Sequence, residues 1–573
     1  MKRRSFLKKL PILGAAGATF TINGIPMKLL ASDHIARLSS TSDNDKVMII
    51  LQMHGGNDGL NTVIPLSNYD QYHFNRSNIA IPKNNGVRSL IELDSTLPEE
   101  SKVGLHPDMM GVKQMYDQGK VSIVQGVSYH NNNGSHFRGR DIWSMGGGSE
   151  DYYSSGWIGR YLGHQYAPLA YPNDFPNSDM QDPLALELGS EVSLMFHQEG
   201  NIPTSISLGG GPEAFADLIE NLEGFTDEGV DPRGTPPPFL DPSPYGEELN
   251  WILGLEDKSE DYAGRLLEVY NRSSATSVDY PESYPFNAPQ GALKNRLAPQ
   301  LQLIARLLDG GGDGVKTKVF LVRIGGFDTH AGQVEAHDPT MGNHAALLHH
   351  ISSAMKAFQD DLRARGLEER VLTVTTSEFG RRIRSNGSYG TDHGKGGPIM
   401  MFGKGIKAGV LGVNPDQDEN NVAMQYDYRQ IFAGILHEWM EVDKETLEND
   451  IFFGDFFEGP KEDGSGFYEP IVLTEGVVTG EDGFLNTRFA VENVYPVPAK
   501  QHINIDLVSI TKDEIGLSLY DSMGKQVFKG SHKMKKAGKL TIRQNLPVLP
   551  KGNYILKIQS SKINHTAQIT IQQ

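Results

Sequence analysis

The chain has 573 residues, more than one hydrophobic core usually organises, so its length points to two or more domains. Hydrophobic residues make up 38% and charged residues 22%, which excludes a disordered chain, and a formal net charge of −18 excludes tight binding to nucleic acid. Cysteine is absent, which removes disulfides, thiol nucleophiles, Cys-zinc sites and attachment of haem or lipid through a thiol.

The first element is an address. Lys2-Arg3-Arg4-Ser5-Phe6-Leu7-Lys8-Lys9 precedes a mild apolar stretch from Leu10 to Ile22, and residues 1–31 carry six basic and no acidic side chains. A charged head before a short apolar segment is an export signal rather than part of the fold. The Arg-Arg-x-Phe-Leu-Lys order resembles the twin-arginine signal, so the expected export partner is the twin-arginine translocase, with an ordinary Sec signal as the alternative. No apolar run reaches about 18 residues, so no transmembrane span is expected.

Residues 46–455 are the expected functional body. Lys46–Met53 is a nearly continuous apolar run, as are Val319–Ile324 and Val371–Thr375, with Val121–Val127 as a fourth strand of the same kind. Leu297, Leu301, Ile304, Leu307 and Leu308 share one helical face before the third of these in chain order. Leu347, Leu348, Ile351, Met355, Phe358 and Leu362 do the same before the last. Strands alternating with amphipathic helices predict an α/β sheet with helices on both faces. From Gln165 to Asn295 the pattern weakens into glycine and proline punctuation, with Leu184–Leu188 and Thr204–Leu208 as further strands and a role in covering the sheet edge or shaping a pocket.

In such sheets ligands sit beyond the carboxyl ends of the strands. Those ends lead into His54-Gly55-Gly56-Asn57-Asp58-Gly59, Asn133-Gly134-Ser135-His136, Gly325-Gly326-Phe327-Asp328-Thr329-His330 and Ser377-Glu378-Phe379-Gly380-Arg381-Arg382, with Thr391-Asp392-His393-Gly394 beyond. Carboxylates and neutral imidazoles together suit a divalent cation, here zinc, calcium, magnesium or manganese, since no thiolate is available. Asp58, Asp328, His330 and Asp392 are the candidate ligands, and Ser135, Glu378 and His393 the candidate catalytic groups. Each has a plainer use. Ser135 before a helix is a natural N-cap, Asp58 between Asn57 and Gly59 suits a turn, and Arg381 and Arg382 would pair with nearby acids or clamp an anion.

These segments, with Gly104-Leu105-His106-Pro107, Asp141-Ile142-Trp143 and Gly156-Trp157-Ile158-Gly159-Arg160, resemble the bacterial domain-of-unknown-function family 1501 over most of residues 46–455. The resemblance implies an alkaline-phosphatase-like α/β fold of the alkaline phosphatase and sulfatase superfamily, and a two-metal hydrolase plan. The chain departs from that plan at two places. Asp328-Thr329-His330 stands where the superfamily has Asp-x-x-x-His, and Glu378-Phe379 where it has adjacent Asp and His, so one ligand is missing or supplied from elsewhere.

Residues 456–487 read as a linker and 488–573 as a small all-β sandwich. From Arg488 onward there are 13 basic and 5 acidic residues, the reverse of the acidic body. His502–Leu507, Ile515–Tyr520, Leu540–Arg543 and Asn553–Ile558 alternate apolar and polar residues, with turns at Ser522-Met523-Gly524-Lys525 and Pro550-Lys551-Gly552. The order Tyr495-Pro496-Val497-Pro498-Ala499, Leu519-Tyr520-Asp521, Leu549-Pro550-Lys551-Gly552-Asn553-Tyr554 resembles the A-type sorting domain of type IX secretion. That implies the type IX apparatus as partner and delivery through the periplasm to the cell surface or beyond. The expected function is an exported, metal-dependent hydrolase of phosphate or sulfate esters. The alternative is a non-catalytic surface binding or scaffold protein on the same fold. An oxidoreductase is a minor third option, because no G-x-G-x-x-G follows a strand.

Overall fold

The apolar run after Lys46 forms β1 (Val47–His54), and its alternate side chains enter two different cores. This is a computed structural model; it describes residues 19–22, 25–28, 44–84, 88–189, 192–199, 202–207, 261–475, 489–495, 499–500, 502–509, 514–521, 525–533, 538–559 and 564–572. It divides into two units, Met1–Gly476 and Val477–Gln573.

In chain order the first unit continues with α1 (Met110–Asp117), β2 (Val121–Ser128), α2 (His136–Met145), α3 (Trp157–Gln165), β3 (Ala185–Glu187) and β4 (Ser205–Ser207). After α4 (Ala298–Asp309) come β5 (Val319–Gly325), α5 (Asn343–Ala364) and β6 (Val371–Thr376). The hairpin of β7 (Arg381–Ser385) and β8 (Thr391–His393) precedes β9 (Gly397–Phe402), β10 (Gly409–Leu411), β11 (Tyr426–Asp427) and α6 (Tyr428–Glu438). The sheet order is β4-β3-β5-β1-β6-β9-β2-β10, with β11 also paired to β2. Only β9 runs antiparallel, so β1, β2, β5 and β6 all point their carboxyl ends to one edge.

Strand alternation explains the layers. Val47, Ile49, Leu51 and Met53 pack with α1, α4 and α5, while Met48 and Ile50 pack with α2, α3 and α6 on the opposite face. The α/β expectation, with helices on both faces, is borne out. Both strands expected within 165–295 exist, and they extend the sheet at one edge as β3 and β4.

The expected linker starts too early. Phe456, Phe457, Tyr468 and Leu473 are buried in the core that holds α6. The backbone N–H groups of Leu473 and Thr474 donate to Glu438 Oε2 at 3.0 and 2.7 Å. Three aromatic rings and a leucine need cover that a solvated linker does not give, so the chain stays on the first unit through residue 475.

The second unit has strands β12 (Phe489–Tyr495), β13 (His502–Ser509), β14 (Glu514–Tyr520), β15 (Gln526–Lys533), β16 (Gly538–Asn545), β17 (Gly552–Gln559) and β18 (Asn564–Ile571). They form two antiparallel sheets, β12-β13-β16 and β15-β14-β17-β18. Ile503 and Ile505 meet Ile515, Leu517, Leu519, Leu556 and Ile558 between them, as the period-two pattern requires.

Among the described residues no helix is long and apolar enough to cross a membrane. The expected export signal lies outside the described residues, apart from a hairpin pairing Thr19–Ile22 with Ile25–Lys28. The glycine run at 209–211, the prolines at 236–238 and the turn at 522–524 also lie outside them.

Candidate functional site

Four of the segments at the carboxyl edge are tied together by one buried arginine. The Arg381 guanidinium, fully out of solvent, donates to the carbonyls of Gly55, Gly56, Phe327 and Thr391 and to Asp328 Oδ1. Its planar fork reaches several acceptors at once, which a lysine could not do. Two glycines after β1 allow the approach. Both have positive φ, and a Cβ on Gly55 would strike the Asp328 amide while one on Gly56 would strike the Phe379 ring.

Glu378, after β6, is fully buried. Its Oε1 accepts from Gly55 N at 2.9 Å and faces His136 Nδ1 at 2.9 Å. With the Nδ1 hydrogen given to Glu378, His136 Nε2 is left with its lone pair. That atom is buried, has no hydrogen-bond partner, and lies 3.4 Å from Asp328 Oδ2. His393 is oriented in the same way. Its Nδ1 donates to Gly134 O at 2.8 Å, leaving Nε2 3.2 Å from Asp328 Oδ1. Ligand atoms of His136, Asp328 and His393 all lie within 4.8 Å of one another. Phe379 packs against both imidazoles, ring centroids 4.8 and 4.4 Å away.

Two ring nitrogens and a carboxylate turned toward one point are placed to hold a cation, beside the contacts that Arg381 makes to Asp328 and His330 makes to His393. The donor set fits a divalent ion of the imidazole-binding kind, and each histidine is held from its other nitrogen as metal ligands usually are. Burial works against the Asp328 charge, but the hydrogen bond and the positive charge of Arg381 hold its carboxyl down to about 2. Burial lowers the His393 pKa, with Asp328 opposing. Burial also lowers that of His54, with Glu378 opposing and Arg140 adding to the effect. Both imidazoles are therefore neutral near pH 7, able to bind a cation or accept a proton.

Of the candidate residues, Asp328, Glu378 and His393 are brought together here. His330 and Asp392 form the outer rim: His330 Nε2 is 2.8 Å from His393 Nε2 and 3.4 Å from Asp328 Oδ1, and its Nδ1 is 3.4 Å from Asp392 Oδ1. Asp392 also faces Arg382 at 3.7 Å. Asp58 is a correction. Its carboxylate is buried in an ion pair with Arg76 and accepts from Gln333 Nε2 at 2.5 Å, so it is engaged away from the cluster. Burial opposes its charge, but Arg76 and Gln333 keep its pKa below the ordinary value. Ser135 is the N-cap of α2, with Oγ accepting from Arg138 N at a long 3.4 Å, one residue from the carbonyl that holds His393. His136 and His54 are the residues the motif reading passed over. The signal for His136 was its place as the first helical residue after a glycine-serine pair.

The comparisons with known proteins agree with the two resemblances. Residues 279–450 match the family described as "Protein of unknown function (DUF1501)", and residues 493–572 match the "Secretion system C-terminal sorting domain". No curated protein matches the chain. Among solved structures, the PsFucS1 sulfatase from Pseudoalteromonas sp. is similar at 10% identity, covering 90% of this chain and 88% of that one, with a TM-score of 0.31. A protein in the alkaline phosphatase superfamily from Vibrio parahaemolyticus is similar at 9% identity, covering 88% and 82%, with a TM-score of 0.27. Latent PorU from Porphyromonas gingivalis is similar at 13% identity over 14% of this chain, with a TM-score of 0.13, and this chain spans 9% of PorU's length. The sorting domain marks the chain as exported by type IX secretion to the cell surface or the extracellular space.

Proposed function

We propose that His136, Asp328 and His393 hold one divalent cation and that the exported α/β unit hydrolyses phosphate or sulfate esters. The observation that carries this reading is the buried, unpartnered Nε2 of His136, aimed with His393 Nε2 at the two oxygens of Asp328. His136, coming from α2, takes the place of the ligand that the Glu378-Phe379 departure leaves out. Bound there, a cation of the zinc or manganese kind would polarise an ester oxygen.

The protein's own groups do the rest. Glu378 fixes the His136 ring, and Arg381 keeps Asp328 ionised and in place. Ser135 opens α2, where backbone N–H groups favour an anion, and in this reading its hydroxyl attacks the phosphorus or sulfur and expels the alcohol, after which water releases phosphate or sulfate and restores the serine. His330, in contact with His393 and facing Asp392, takes up or returns the proton. Arg382 at the rim attracts an anionic group.

The test is elemental analysis of the full chain purified after export, with a panel of phosphate and sulfate esters. The expected result is about one equivalent of divalent metal and turnover of at least one ester, both lost in Asp328→Asn. A metal-free protein that turns over nothing after zinc or manganese is added overturns the hydrolase and leaves a surface binding or scaffold protein.

A further inference from the structure

We infer that the hollow beside the cluster receives the ring of a sugar that carries the ester, a reading that rests on the hydrolase proposal. The hollow measures about 580 Å³, within the range that holds a small organic molecule, and its wall includes Gln52, Phe137, Arg140, Asp141, Ser144 and Arg323. Phe137, Arg140, Asp141 and Ser144 stand at i, i+3, i+4 and i+7 of α2, so one face of the helix that begins with His136 also builds this wall. Arg140 joins the two places, donating to His136 O at 3.2 Å and meeting His54 Nε2 at 2.9 Å.

The wall's chemistry selects a neutral polyol with an apolar face. The Phe137 ring is 77% exposed beside a polar hollow, with the Arg140 guanidinium 5.3 Å from its centroid. A flat ring left in water at a cavity mouth is a platform for a partly apolar partner, and a pyranose presents C–H faces of that kind. Hydrogen-bonding capacity of both signs lies beside it. Among the described residues Asp141 makes no ion pair or hydrogen bond, and Arg140 pairs with no carboxylate. Arg323 Nε and Ser193 Oγ are buried at the wall without partners.

Hydroxyls donate and accept at once, so adjacent ring hydroxyls would satisfy the Asp141 carboxylate and these donors together. Charge argues against a second anion on the ring. Arg323 is neutralised by Glu187, and the wall adds one further arginine and one further acid, Arg140 and Asp141, so its charges sum to none. An apolar group would leave the same donors and acceptors unsatisfied. The ester therefore faces the cluster while the neutral ring occupies the hollow.

The full chain, stripped of metal with EDTA so that nothing is turned over, is titrated with galactose 6-sulfate and glucose 6-phosphate, with inorganic sulfate and phosphate as references. At least one sugar ester is expected to bind about tenfold or more tightly than its inorganic anion. That margin is expected to shrink to about twofold in Phe137→Ala and Asp141→Ala, both exposed positions whose folding is checked by thermal melting. Equal binding of sugar ester and inorganic anion, or variants that keep the wild-type margin, overturns the sugar reading. Turnover is followed separately with metal restored. Sugar binding without turnover sinks only the hydrolase, and turnover of nitrophenyl esters without a sugar margin sinks only the sugar site.

Discussion

Glu378 shares one oxygen between the Gly55 amide and His136 Nδ1, and in the proposed site it points His136 rather than touching a substrate. Glu378→Gln should leave the chain folded and weaken metal binding by about 10- to 100-fold, measured by competition with a chelator. Unchanged affinity would mean that His136 is not a ligand. Ser135 separates two uses of one hydroxyl. Its cap on Arg138 N should be worth about 1 kcal/mol in a denaturant titration of Ser135→Ala. As nucleophile its loss should also cost turnover at least about 100-fold with metal content unchanged. If stability falls and turnover survives, the serine is a cap alone. Asp328 also has a plain use, as the half-exposed counter-charge of the buried Arg381, so metal content rather than stability is the readout that separates its two roles.

At the scale of elements, the turn after β1 and the start of α5 carry the strain and the acid sensitivity. Gly56 has φ +82° and lies against the Phe379 ring, which in turn supports His136 and His393. Gly56→Ala should cost more than about 1 kcal/mol and lower metal occupancy with it, read by thermal melting and elemental analysis on the same sample. Beside the first turn of α5, His344 is fully buried against Asn57, and burial, with Arg76 and Arg381 adding and Asp58 opposing, holds its pKa down to about 4. His106, also buried, is held well below its ordinary value by burial and then by His344. A depressed folded pKa means that protons bind the unfolded chain more readily. The stability His344 contributes is therefore present above about pH 6.5 and is lost as pH falls toward 4, about 3 kcal/mol, and His106 acts in the same direction. A urea midpoint that stays flat across that window, or falls equally in His344→Gln, would contradict this.

At the scale of the whole molecule, the two units have separate hydrophobic cores and different tasks. A chain ending at Gly476 should keep its metal and fold but fail to reach the cell surface, accumulating in the periplasm; cell fractionation with elemental analysis checks both halves. Much of this organisation was legible in the residues. Unbroken apolar runs announced β1, β5 and β6, and helical spacing announced α4 and α5, because periodicity depends only on near neighbours along the chain. The region after residue 455 was misread as linker because Phe456, Phe457 and Tyr468 are scattered among glycines and acids and show no period. Partner choice was harder still. The sequence by itself determined which strand ends would carry acids and imidazoles, and that they would share one sheet edge. Only the tertiary structure decided that Asp58 closes on Arg76 while His136 joins Asp328 and His393. That choice follows from contacts such as Glu378 with His136 and Gln333 with Asp58, made across separations of more than two hundred residues, and no local pattern encodes it.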